Sequence, residues 1–141
     1  MRFMVLIKAN KETEAGVLPS EQLIAEMVKY NEELMKAGVM LAAEGLHPSA
    51  KGARVKYANG KFTITDGPFA ETKELFAGYW LWQCKSLEEA IAWARRIPNP
   101  RDEEGEVEIR QVFDVEEFGE KFTPGLKEQE ERLRTQMAAK K

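Results

Sequence analysis

The residues of this 141-residue chain that are best equipped for chemistry fall in three places. The first is Asp66-Gly67-Pro68-Phe69-Ala70-Glu71-Thr72-Lys73-Glu74, where a lysine sits between carboxylates. Asp66 closes an expected strand and could aim its carboxylate into a cleft. Lys73, between Glu71 and Glu74, could bind an anionic ligand or tune a glutamate for acid–base work. The second place is Glu44 with His47. His47 is the only histidine, and so the one side chain that titrates near neutrality unperturbed. Glu44 follows an apolar strand, so it is expected to be partly buried and to need a partner, Arg110 or Lys73. The third is Tyr79-Trp80-Leu81-Trp82, an aromatic strand. The chemistry these groups allow is a cofactor-independent proton transfer by Asp66, Glu44 or His47. Glu71, Lys73, Tyr79 and Arg110 would then bind a small anionic or aromatic molecule.

Each candidate also has a plain structural reading. Asp-Gly-Pro is a turn, because Asp bonds to nearby backbone and Pro fixes its own φ. Glu71, Lys73 and Glu74 can form a solvated surface, where ion pairs contribute little. Tyr79, Trp80 and Trp82 at strand spacing suit a core or an interface, and Cys84 a small buried hydrophobe. Ser49 with His47 and Asp66 makes a triad by residue type alone.

Composition narrows the classes further. One cysteine and one histidine exclude a disulfide framework and a Cys/His zinc site, and no other metal or cofactor is expected. No glycine-rich phosphate loop or nucleophile elbow is present. The net charge of −3 argues against a nucleic-acid partner. Apolar residues at 43% and charged residues at 32% describe a folded globular chain. No cleavable signal and no apolar run of about 20 residues occurs, so no membrane partner and a cytoplasmic location are expected.

The elements that must position these groups are legible in the pattern. Phe3–Ile7 is an unbroken apolar run, a strand with both faces covered. Lys8–Leu18 reads as a loop. Ser20 caps a helix with Leu23, Met27, Tyr30 and Leu34 at helical spacing, and Gly38 stops it. A second strand starts at Val39. Asn59-Gly60 predicts a two-residue hairpin pairing Tyr57 with Phe62 and Val55 with Ile64 on one face. Gly78–Cys84 is a strand with Trp80, Trp82 and Cys84 on one side. Ser86 and Glu89 form an expected capping box, followed by a helix turning Ile91, Ala94 and Ile97 inward. Val107, Ile109 and Phe113 alternate along a last strand. Residues 1–115 make one domain, and residues 116–141 a charged, helical C-terminal extension.

The order strand, helix, strand, hairpin, strand, helix, strand is a ferredoxin-like α+β pattern with an inserted hairpin. Several strands are apolar on both faces, and no spare amphipathic helix is available for the second face. A second copy of the sheet would cover it, so a homodimer is expected.

The run DGPFAETKE at Asp66–Glu74 resembles the signature of the DGPF group of the YCII-related family. The RFMVLIK start, AAEGLHPS at Ala42–Ser49, Gly78-Tyr79 and EVEIRQVF stand in the order of that group. The resemblance covers about residues 1–115 and implies a dimeric ferredoxin-like α/β barrel, similar in architecture to muconolactone isomerase. It implies no settled activity. YCII-type proteins with a His near the start of the first helix pair it with an Asp. Here that helix starts Ser20-Glu21-Gln22-Leu23, so the dyad is not carried over. Some DGPF proteins are linked to sigma-factor-like regulators. The alternative to a ligand-binding dimer is thus a non-catalytic regulatory or interaction module.

Overall fold

A computed structural model describes residues 1–140. The described residues divide into two compact units, Met1–Gln111 and a second that starts at Val112. The first begins with β1 (Arg2–Lys8), a short α1 (Lys11–Glu14), α2 (Glu21–Lys36) and β2 (Met40–Gly45). β3 (Ala53–Ala58) and β4 (Lys61–Asp66) follow, then β5 (Phe76–Gln83), α3 (Leu87–Ala94) and β6 (Val107–Gln111). β2, β5, β1 and β6, in that spatial order, make an open antiparallel sheet, and β3 and β4 form a sheet of their own. This is an α+β architecture consistent with the ferredoxin-like pattern, carrying an inserted hairpin. The described residues of the single chain close no barrel.

Alternation along the strands sorts the sheet into two faces. Phe3 and Val5 on β1 stand opposite Trp82 and Trp80 on β5. All four are buried together with Tyr30, Leu34, Val39, Cys84 and Ala90. The two helices therefore cover this face side by side. Tyr30 donates its hydroxyl to the Trp93 carbonyl at 2.6 Å and so ties α2 to α3. Trp80 Nε1–H donates to Asn31 Oδ1 at 2.8 Å, which satisfies a buried indole donor. Ala90, with no exposed surface, lets α3 approach the sheet closely. The other face carries a half-buried apolar strip of Met4, Leu6, Ala42, Tyr79 and Leu81, flanked by Glu44 on β2 and by Glu108 and Arg110 on β6.

The caps form where the sequence places them. Ser20 Oγ accepts from Leu23 N–H and Ser86 Oγ from Glu89 N–H. Glu89 returns its carboxylate to Lys85 N–H at 2.8 Å, one residue before the expected capping-box partner. The hairpin has the predicted register, Tyr57 opposite Phe62 and Val55 opposite Ile64. Asn59 and Gly60 both have positive φ, as a type I′ turn requires.

Three expectations are corrected. Lys8–Leu18 is not all loop, because Asn10 and Thr13 cap each other reciprocally and start α1. Ala94 and Ile97 pack against the core as expected, but Ile91 is 39% exposed, and Ala90 and Trp93 complete the inward stripe in its place. β6 ends at Gln111, and Phe113 is exposed outside it.

The second unit holds a 3₁₀ segment, Val115–Lys121, and α4 (Pro124–Ala139). Thr123 caps α4, and Pro124 occupies its first position. Phe118 stacks near Phe113 and Phe122, with ring centroids 5.3 and 5.6 Å apart. No helix among the described residues is long and apolar enough to cross a membrane.

Leu34 is fully buried beneath α2, within the cluster of Trp80 and Trp82. Replacing it with Ala should cost about 2–5 kcal/mol by the transfer and cavity terms. Urea unfolding followed by tryptophan fluorescence measures this.

Candidate functional site

The Asp66–Glu74 loop closes against the turn that follows β2, and Ser49 is the centre of that contact. Ser49 N–H donates to Glu14 Oε1 at 3.0 Å, and its hydroxyl donates to Glu14 Oε2 at 2.5 Å. The same hydroxyl oxygen accepts from Phe69 N–H at 3.0 Å. Gly67 N–H donates to the Gly52 carbonyl at 3.0 Å, and a Cβ on Gly67 would lie 1.7 Å from the Ser49 carbonyl oxygen. Only glycine fits there. The Gly67–Pro68 bond is cis. Arg54 lies over the Phe69 ring at 3.9 Å and pairs with Glu71 at 3.6 Å.

These contacts give the loop a structural role: it clamps the base of the hairpin to the turn at Ser49. The hydroxyl of Ser49 is spent on Glu14 and Phe69, so the Ser49–His47–Asp66 triad is not assembled. The Glu14 carboxyl is held below its usual value, chiefly by the Ser49 hydroxyl and then by the Ser49 N–H. Neither Glu14 nor Arg54 carries a signal in sequence, since Glu14 meets its partner 35 positions away.

The other candidates lie apart. Glu44 stands opposite Tyr79 on β2, an edge strand, and is exposed rather than partly buried. Its expected partner Arg110 belongs to β6 at the opposite edge, and pairs with Glu108 at 3.3 Å. Arg110, with Lys8 beyond it, lowers the Glu108 carboxyl. His47, Asp66 and Lys73 are exposed. Among the described residues no group of acidic, His and Cys side chains could hold a metal ion.

A cavity of about 370 Å³ lies between α2 and one end of the sheet. Leu23, Ile24, Met27 and Val28 form its helix wall, with Asn31 as the polar group. Ile7, Ala43, Gly45, Gly78 and Trp80 form its floor. The volume is within the range of small-molecule sites. The pairing of Gly45 with Gly78 contributes to it, because it leaves the β2–β5 corner of the helix-facing side without side chains beside Ile7 and Ala43. A Cβ on Gly45 would meet nothing within 4 Å, whereas one on Gly78 would press on the Glu44 carbonyl at 2.8 Å.

Glu44 and Tyr79 border the same cavity, but strand alternation directs their side chains to the sheet's other face. His47, Asp66, Glu71, Lys73 and Arg110 do not line it. The residue that sequence reasoning missed is Asn31. Its signal was present as a polar residue inside the apolar stripe of α2.

The profile of the YCII-related domain matches residues 1–116, the span that holds the sheet, the clamp and the cavity. The chain belongs to the YCII-related family. This YCII-related domain is also 32% identical, over 90 residues, to an uncharacterised protein of Rhizobium meliloti (strain 1021). That match covers 64% of this chain and 73% of the relative.

Two measurements check the clamp. Gly67→Ala should cost about 3 kcal/mol in urea unfolding, because the new methyl group meets backbone rather than a movable side chain. Glu14 has a lower pKa folded than unfolded. Its stabilisation is therefore complete above the unfolded value of roughly 4.3 and is lost as pH falls through the folded value. Glu14→Gln should flatten the stability profile below about pH 4.3 relative to wild type.

Proposed function

We propose that this YCII-related protein is a small-molecule-binding homodimer, with its ligand site in the cavity beneath α2. The observation that carries the reading is the Gly45–Gly78 gap, which leaves a volume of about 370 Å³ walled by apolar side chains. The chemistry of the walls favours an aromatic ligand over an anionic one. No Lys or Arg lines the cavity, and its only charged residue is Glu44. Trp80 offers a ring surface, and Met27 an adaptable thioether. Asn31 Oδ1 is occupied by Trp80, so its amide NH₂ is the group left to donate to a ligand oxygen. A planar molecule with one hydroxyl or carbonyl oxygen fits this set. No acid–base pair faces the cavity, so binding rather than catalysis is the function that the geometry supports. The dimer reading rests on Met4, Leu6, Ala42, Tyr79 and Leu81, a half-buried apolar strip along the middle of the sheet face turned away from α2 and α3.

Gly45→Leu tests the site, because the added side chain enters open space and fills the gap. Wild type should show a thermal shift with 2-naphthol and a smaller one with benzoate. Gly45→Leu should keep the wild-type melting temperature within a few degrees and lose both shifts. An undiminished 2-naphthol shift in Gly45→Leu would place the ligand elsewhere.

A further inference from the structure

The β3–β4 hairpin exposes a row of large apolar side chains on one face. Val55 is 57% exposed, Tyr57 77%, Phe62 74% and Ile64 70%. Tyr57 and Phe62 are cross-strand partners with ring centroids 6.2 Å apart, so they form one continuous patch. Every residue of both strands is exposed. A two-stranded hairpin is at best marginally stable on its own in water. This one is nonetheless held at its base by the Gly67–Gly52 bond and by Arg54 on Phe69 and Glu71. It is an arm anchored at its base, with an uncovered aromatic face.

We propose that this face docks on the body of a second copy of the chain, each copy laying its arm on the other. The inference rests on the homodimer reading and assigns an interface to it. Two arguments select the occupant. The first is charge. Residues 53–66 contain Arg54, Lys56, Lys61 and Asp66, a net of 3 − 1 = +2. The remainder of the chain then has 18 basic and 23 acidic residues, a net of −5. An arm is therefore attracted to another copy's body and repelled by its arm. The second argument is area. An aromatic side chain can bury roughly 150–250 Å², so two rings about three-quarters exposed offer on the order of 300 Å². Two arms, each covering an equal area on its acceptor, bury about 1,200 Å², the lower bound of a stable interface. Val55 and Ile64 add to that. Lys56 is on the opposite face of the arm from the rings, so charge and apolar contact can be varied separately.

The test is sedimentation equilibrium of the full chain across concentration and salt, with circular dichroism on every variant. Wild type should dimerise, and Tyr57→Thr/Phe62→Thr, which keeps strand-forming residues, should weaken dimerisation by about 100-fold or more. Tyr57→Thr alone gives a smaller loss in the same direction and guards against misfolding of the double variant. Lys56→Glu/Lys61→Glu turns the arm's net charge from +2 to −2, so it should weaken the dimer with the rings intact and reverse its salt dependence, added salt now favouring association. A wild type that stays monomeric at all concentrations overturns the homodimer reading and this interface with it. A dimer unmoved by the arm variants but broken by Leu81→Lys overturns the arm interface alone and leaves the sheet-face dimer standing.

Discussion

The first unit is organised by an uneven surface. On the helix-facing side of the sheet, one end is filled by Phe3, Trp82, Val5 and Trp80, and the other is bare at Gly45 and Gly78. The bulky end sets how closely α2 can approach, through Leu34 and Tyr30. Gly45 and Gly78 offer α2 no side chain to pack on, and space remains between Ile24, Met27 and this corner of the sheet. Fold stability and the cavity therefore belong to one face of the sheet.

The conspicuous motif and the cavity are different parts of the molecule. Asp66–Glu74 concentrates charge and has the composition of a reactive loop. The contacts it makes are nonetheless ones of shape: Gly67 against a carbonyl, Phe69 beneath Arg54, and Glu71 against the same guanidinium. The cavity has almost no charge and is marked in sequence by residues that are missing rather than present.

That contrast explains what was legible. Element order, the hairpin register, and the caps at Ser20 and Ser86 follow from local rules, and local rules are written in neighbouring residues. The burial of Trp80 and Trp82 follows from period-two alternation along β5, and Cys84, just past its end, continues the same face. The burial of Ala90 in place of Ile91 does not, because it depends on how near α3 must come to the sheet. The Glu14–Ser49 bond joins residues with no shared pattern. The apolar residues before Glu44 predict partial burial, but β2 is an edge strand and Glu44 is exposed, because strand order is not a local property.

The clamp has a consequence for how the fold tolerates change. The chain leaves the sheet after β2 and returns at β5, and its two passes meet where Gly67 N–H reaches the Gly52 carbonyl. Everything between those residues is an excursion whose ends are already joined. Lengthening or shortening it alters the closure entropy only slowly with loop size. The hairpin is thus a module whose reach can be redrawn by insertion or deletion while the four-stranded sheet keeps its register.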